Sequence, residues 1–368
     1  MEKNKVIRVL TINPGSTSTK IGVFDNNECI LRESIEHSQE ELSVFKDIPS
    51  QREYRYKLII DTLNKYNIKM ESIDAFSGRG GGLECCPGGT YLINEKMYEH
   101  ARTCHTIKHP STLGTTLAYE FGKKYSKPSF CVNPPDVDEF IVEARITGIP
   151  GIYRESRIHA LNQKEVALRY ANKIKKRYNN LNLIVCHLGG GISIAAHHKG
   201  KMIDCNDIVN GDGPMAPTRS GYVPAKPLID LCFSGKYTQK ELSSFMTKTG
   251  GLIALLGTND LREVRDMINK GNKKAKIVYD ALVYQISKQI GAMFVALKCN
   301  CSAIVFTGGM SKDKEFIDDI KSYVKKLAKV VVMSGEFELE ALAAGALRVM
   351  NKEEEYQTYT GETVFKGI

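Results

Sequence analysis

Short apolar runs set between glycine turns alternate along the chain with stretches of helical period. VIRVLTI, Val6 to Ile12, is rich in β-branched residues and lacks polar alternation, the pattern of a buried strand. IGVF, Ile21 to Phe24, is a second short apolar run, and the spacing predicts strands near 6–12, 20–25 and 28–36. Residues 51–66 then read as an amphipathic helix. IDAFSGRGGGLECCPGGTYLI, Ile73 to Ile93, is strand, long glycine-rich loop and strand, followed by helices near 95–104 and 112–125. PSFCVNPPDVDEF, Pro128 to Phe140, runs from a strand into a proline-broken turn. GIPGIYR, Gly148 to Arg154, closes a first unit, so the boundary is placed at 150. The second unit, 151–340, opens with a helix near 159–177. Further helices are predicted near 226–234, 238–247, 259–268 and 273–298, strands over 302–310 and 330–333, and a last helix from about Glu338 to Glu353. The long helix at 273–298 is apolar on one face and suits a domain core or a dimer contact. The last helix, with the residues that follow it over 341–368, is expected to pack back on the first domain.

Between the first two runs lies NPGSTSTK, Asn13 to Lys20. Backbone N–H groups, hydroxyls and one cation meet there in a small volume that suits phosphate. An ordinary polar hairpin turn has the same composition. The loop lacks GxxxxGK[ST] and no helical pattern follows, so it is not a Walker P-loop. It has a counterpart in LNLIVCHLGGGISIAAHHKGK, Leu181 to Lys201, which repeats its layout without gaps. Gly15 aligns with Gly189, Ser16 with Gly190, Thr17 with Gly191 and Lys20 with Ile194, and the turn Asp25–Asn27 falls on Lys199–Lys201. Internal duplication fixes architecture. Two similar α/β domains are expected, their loops facing each other across a polyphosphate. NGDGPMAPTRSGYVPAKP, Asn210 to Pro227, is a long irregular loop of the kind that carries function.

Composition narrows the class. The 368 residues suit two domains, and 42% hydrophobic with 25% charged residues is ordinary for a globular protein. No apolar run spans a membrane, and the basic N-terminus runs straight into the first strand without a signal-peptide h-region, so a cytoplasmic protein is expected. The ten Cys include Cys85-Cys86 and Cys299-x-Cys301 but no CxxC pair, which argues for reduced thiols and against zinc. The net charge of +9 is spread over helix faces such as 172–178 and 321–329 with few aromatics between. That argues for solvated helix faces over an RNA surface and leaves a mild field that gathers anions.

NPGSTSTK, GRGGG, HP, IHALNQK, HLGGGIS, TRSG, TND and FTGG occur in the order found in the acetate kinase-like acyl kinases. The chain resembles that family over essentially its whole length, and its butyrate kinase branch most. The resemblance implies the actin-like superfamily of sugar kinases and Hsp70: two duplicated ribonuclease H-like domains with a nucleotide cleft between them. It implies reversible phosphoryl transfer between ATP/ADP and butyrate/butyryl phosphate, with Mg2+. It implies no nucleic acid or membrane partner, and a homodimer or higher homo-oligomer.

A carboxylate acceptor, with a pKa of about 4 to 5, is already ionised and needs no general base. The site then has to hold two anions together and neutralise the transferring phosphoryl. By resemblance, Arg79 and Arg219 bind the carboxylate and the phosphoryl, and His159 hydrogen-bonds the phosphoryl. His109 and His187 lie near the site. Asn13, Ser16, Ser18 and Lys20 match the first phosphate loop, and His187, Gly189, Gly190 and Gly191 the second. Gly308 and Gly309 match the adenosine site, and Asp260 and Arg262 other nucleotide-side positions. Glu340 matches the acidic residue near the metal, with Glu338 as the alternative. Where the family has Asp after a strand this chain has Asn133, with Asp136 three residues on. Acetate kinases carry Val and Phe where this chain has Gly81 and Ile158, which is expected to make room for a longer acyl tail. Rival readings are a kinase for isobutyrate, propionate or acetate, an actin- or Hsp70-like ATPase, and a non-catalytic nucleotide-binding protein.

Overall fold

In the computed structural model, which describes residues 6–368, β1 (Arg8–Pro14) pairs antiparallel with β2 (Ser18–Asp25), and β2 with β3 (Glu28–Glu36). β4 (Ala75–Gly78) lies parallel beside β1. β5 (Thr90–Leu92) forms the antiparallel edge on β6 (Ser129–Val132), which is parallel to β4. The order is β3-β2-β1-β4-β6-β5. β1 is buried over Val9–Pro14 because both faces of the sheet are covered, which explains its unbroken apolar sequence. Helices Arg52–Lys65 and Thr112–Tyr125 bring Ile59, Leu63, Leu117 and Phe121 onto Leu10, Ile12 and Phe76. The opposite face receives helix Glu338–Met350. Its Ala346 and Leu347 pack on Val9, Ala75 and Phe130, and its Leu339 and Ala343 on Phe24. This first unit comprises the described residues through Asp138, then Ala160–Asn162 and Phe337–Ile368.

The second unit, Glu139–His159 and Gln163–Glu336, repeats the layout. β7 (Asn182–Leu188), β8 (Ile192–His198) and β9 (Lys201–Cys205) form an antiparallel meander. β10 (Ala303–Thr307) and β11 (Val330–Val332) add in parallel, giving the order β11-β10-β7-β8-β9. Helix Lys273–Ala296 lays Leu282, Val283, Ile286 and Ile290 into the same core as Ile184, Ile194 and Phe306, so its apolar face serves this unit. Short helices at Gln39–Ser43, Val142–Arg145 and Gly251–Leu256 have no counterpart in the periodicity, being too short to show one. No helix among the described residues is long and apolar enough to cross a membrane.

The two hairpins differ in one respect from the gapless repeat. Pro14 pairs with Thr19 across Gly15–Ser18, whereas Leu188 pairs with Ile192 across Gly189–Gly191, one residue fewer. Past the loop the correspondence slips by one. Asp25 and Glu28 flank their two-residue turn as His198 and Lys201 flank Lys199–Gly200, so Asp25 corresponds to His198 and not to Lys199. With that shift even the irregularities coincide, at Val23/Phe24 and at Ala196/His197.

Candidate active site

In the second unit the glycine loop between β7 and β8 is the floor on which the TRSG segment docks. Thr218 donates from its backbone N and from its hydroxyl to Gly190 O, at 3.2 and 2.8 Å, and Ala216 and Arg219 close a tight turn on each other. This turn lays the Arg219 guanidinium against Gly191, where a Cβ would lie 1.0 Å from Nη1. Nε and Nη1 of Arg219 are shut off from solvent and meet no hydrogen-bond partner among the described residues. Burial lowers the pKa of Arg219, with Asp207 opposing. A desolvated cation with unfilled donors is costly unless an anion completes it.

Gly189 and Gly190 also line a cavity of about 620 Å3, together with Asn259, Asp260, Arg262 and Gly309. That volume is in the range of small-molecule sites. Asp260 caps helix Leu261–Asn269 by accepting from Arg262 N at 2.9 Å, and its carboxylate pairs with the Arg262 guanidinium, which holds its pKa down at about 2. Gly308, just past β10, has φ 87° and donates to Gly335 O at 3.0 Å.

His159 stands just before helix Ala160–Lys173, its ring stacked on that of His187 at 4.0 Å between centroids and 19° between planes. Its Nδ1 is 3.0 Å from Ser193 Oγ. Ile158 beside it is 2% exposed.

In the first unit, Asn13 near the end of β1 and Arg79 just past β4 become neighbours because those strands are parallel partners. Arg79 N donates to Ile12 O at 2.9 Å. Arg79 Nη1 donates to Asn13 Oδ1 at 3.3 Å and forms an ion pair with Glu338, and Asn13 Nδ2 donates to the other Glu338 oxygen at 2.6 Å. The acidic residue that joins this corner is thus Glu338. Glu340, the first choice from sequence, pairs with Arg32 instead, its Oε2 buried without a partner among the described residues. Two positions along a helix point to different sides. Asn133 is tied to Gly89, accepting from its N at 2.9 Å, and Asp136 is 1% exposed.

Ser16 and Lys20 are exposed and Ser18 half-buried on the NPGSTSTK loop. Under it sits Arg55, which had no part in the sequence reading. Its Nη1 faces Gly15 O at 3.0 Å, Ser18 O at 3.2 Å and Thr19 Oγ1 at 2.9 Å. Turning carbonyls inward onto a cation leaves the loop's other face for an anion. A signal existed: Arg55 shares the i, i+4, i+8 stripe with Ile59 and Leu63, a charge on an apolar face. Gly81 does not open the space expected of it. It adopts φ 153°, and a Cβ there would lie 2.6 Å from Ser111 Oγ and 3.7 Å from Thr112 Cγ2. The neighbouring volume is already filled by Ser111, whose hydroxyl is 2.9 Å from His109 Nδ1.

The acetokinase family model matches residues 143–354. A propionate kinase from Francisella tularensis subsp. tularensis SCHU S4 superposes with a TM-score of 0.74 at 19% identity, over 92% of this chain and 98% of its own. An acetate kinase from Porphyromonas gingivalis gives 0.75 at 19% identity, over 94% and 100%. One from Entamoeba histolytica gives 0.74 at 19% identity, over 92% and 98%. At this identity the likeness is one of fold, a two-domain α/β architecture. The family match covers more than half of the residues, and the chain belongs to the acetokinase family.

Proposed function

We propose that this acetokinase-family protein transfers the γ-phosphoryl group of ATP reversibly to the carboxylate of a short-chain acid, and that the acid is butyrate. One observation carries the reading: the buried Arg219 guanidinium, its Nε and Nη1 unfilled, against the glycine loop that lines the 620 Å3 cavity. The nucleotide is assigned to that cavity and the transferring phosphoryl to Arg219. In the step itself a carboxylate oxygen of the acid bonds to γ-phosphorus while the bond to the β,γ-bridging oxygen breaks, and ADP leaves with that electron pair. No proton moves, so the residues needed are donors and cations. His159 and Arg219 supply donors in one unit. The first unit, by itself, sets the cation of Arg79 beside the oxygens of Asn13 and Glu338.

The donor set of Asn13 and Glu338, one amide oxygen and one carboxylate, fits a Mg2+ that keeps most of its coordination for water and phosphate. These two residues would hold it, and bound there it would offset phosphate charge. For the acid, Ile158 in place of Phe favours a tail longer than acetate, each extra buried methylene being worth roughly 0.8 kcal/mol. Gly81 adds nothing to this argument. Propionate, acetate and isobutyrate are the alternatives, the first two being the acids of the kinases that share the fold.

The test is acid-dependent ADP release over straight-chain acids of two to six carbons and isobutyrate, with the acyl phosphate trapped by hydroxylamine. Butyrate should give the highest kcat/KM. ADP release that ignores every acid would make the protein an ATPase of the actin or Hsp70 kind. A lack of turnover with ATP bound would make it a non-catalytic binder.

A further inference from the structure

We infer that Ser193 and Gln163 are positioning residues that fix His159 as the neutral tautomer with its proton on Nε2. The inference rests on the acyl-kinase reading only for its consequence, that His159 meets the phosphoryl as a hydrogen-bond donor.

The argument starts at Gln163. Its Nε2 lies 3.2 Å from Val185 O, 3.0 Å from Ser193 O and 3.0 Å from Ser193 Oγ. Backbone carbonyls only accept, so the amide nitrogen must face them and the flipped amide is excluded. Oε1 then points the other way, 3.0 Å from His197 Nε2. Because Oε1 only accepts, His197 carries its proton on Nε2. His197 is fully buried and burial depresses its pKa far below the usual value, so the ring is neutral and its Nδ1 accepts. The donor to it is the Tyr178 hydroxyl at 2.6 Å.

The direction carries over to Ser193. Its Oγ shares the two N–H groups of Gln163 with the Val185 and Ser193 carbonyls and finds no acceptor on that amide nitrogen, and the residue is 0% exposed. The hydroxyl hydrogen has one acceptor in reach among the described residues, His159 Nδ1 at 3.0 Å. His159 Nδ1 therefore accepts, and its proton sits on Nε2. A proton on Nδ1 would set two donors against each other and strand the buried hydroxyl. The stack on His187 holds the ring plane. A run of directed hydrogen bonds thus passes from Tyr178 through His197, Gln163 and Ser193 and ends by presenting N–H at His159 Nε2. Two carbonyls of the β7–β8 hairpin set its sense. Such outer partners of a functional histidine fix tautomer and orientation together.

The test uses the full-length protein labelled with 15N in histidine. Two-bond 1H–15N correlations at pH 7.5 distinguish an Nε2–H imidazole, an Nδ1–H imidazole and an imidazolium, and the His159 signals are identified by their loss in His159→Asn. The wild type should show His159 as Nε2–H. Ser193→Ala should mix its tautomers and lower kcat on the order of tenfold, with KM for ATP changed less than about twofold. Tyr178→Phe should disturb the His197 signals and leave the His159 tautomer in place, because the sense of the chain is set at Gln163. An Nδ1–H or imidazolium signal for His159 in the wild type overturns the inference, whether or not any variant folds. So does a Ser193→Ala protein with unchanged tautomer and kcat. An Nε2–H signal in a protein that makes no acyl phosphate would keep the tautomer assignment and sink the kinase reading instead.

Discussion

A side chain at Gly191 and the guanidinium of Arg219 claim the same space, a Cβ there lying 1.0 Å from Nη1. Gly191→Ala must therefore move Arg219. It should lower kcat on the order of a hundredfold, the scale for losing one preorganised donor in the transition state, with KM for ATP changed a few-fold at most. Arg219→Ala should cost as much, and the double variant little more, since both act through one group. Steady-state kinetics of the three variants check this. Full activity in Gly191→Ala, or in Arg219→Ala, would make Arg219 a bystander.

Glu338 and Glu340 can be separated by titrating Mg2+. Glu338 shares the corner with Asn13 and Arg79, whereas Glu340 pairs with Arg32. Glu338→Gln should raise the Mg2+ concentration for half-maximal rate about tenfold or more, and Glu340→Gln should leave it within about twofold. The reverse order would return the metal to Glu340.

Gly81→Ala should depress activity on acetate, propionate and butyrate in parallel. The position has φ 153° and its Cβ would press on Ser111, so the substitution strains the loop that carries Arg79 and fills no pocket. A loss confined to butyrate, in the same panel of acids, would restore Gly81 to the acyl pocket.

His37 makes the fold acid-sensitive. Burial first, and the charge of Arg55 second, hold its pKa down at about 4. Its Nε2 is 2.8 Å from Thr19 Oγ1 and its Nδ1 3.2 Å from Tyr54 OH. The unfolded chain takes up this proton near pH 6.5 and the folded chain only near 4. The contribution is therefore intact above pH 6.5 and lost as pH falls toward 4, with a slope of up to about 1.4 kcal/mol per pH unit. Urea unfolding between pH 4 and 7.5 should show this slope, and His37→Gln should flatten it. An equal slope in both proteins would place the sensitivity elsewhere.

Much of this fold can be read from apolar runs and glycines, and the limits have physical reasons. The one-residue slip of the second hairpin leaves no mark in the sequence because β8 is buried on both faces over Ile192–His197, so no alternation marks its register. The choice between Glu338 and Glu340 depends on where a distant helix meets the ends of β1 and β4, which local periodicity does not encode. Gln163 sits inside IHALNQK, but its role needs the carbonyls of Val185 and Ser193, which only the folded sheet delivers. Arg219 was visible from its glycine- and proline-rich surroundings, and Arg55 from its place on an apolar stripe.

The return of helix Glu338–Met350 to the first sheet reverses the order in which the halves can finish during synthesis. Val9, Ala75 and Phe130 precede the second unit along the chain, but Ala346 and Leu347, which cover them, follow it. All of the second unit is synthesised in between, and its own sheet and long helix are complete before that cover arrives. The nascent chain therefore carries a bare apolar sheet face for as long as the second unit takes to be made, the face that chaperones would shield and that aggregation would exploit.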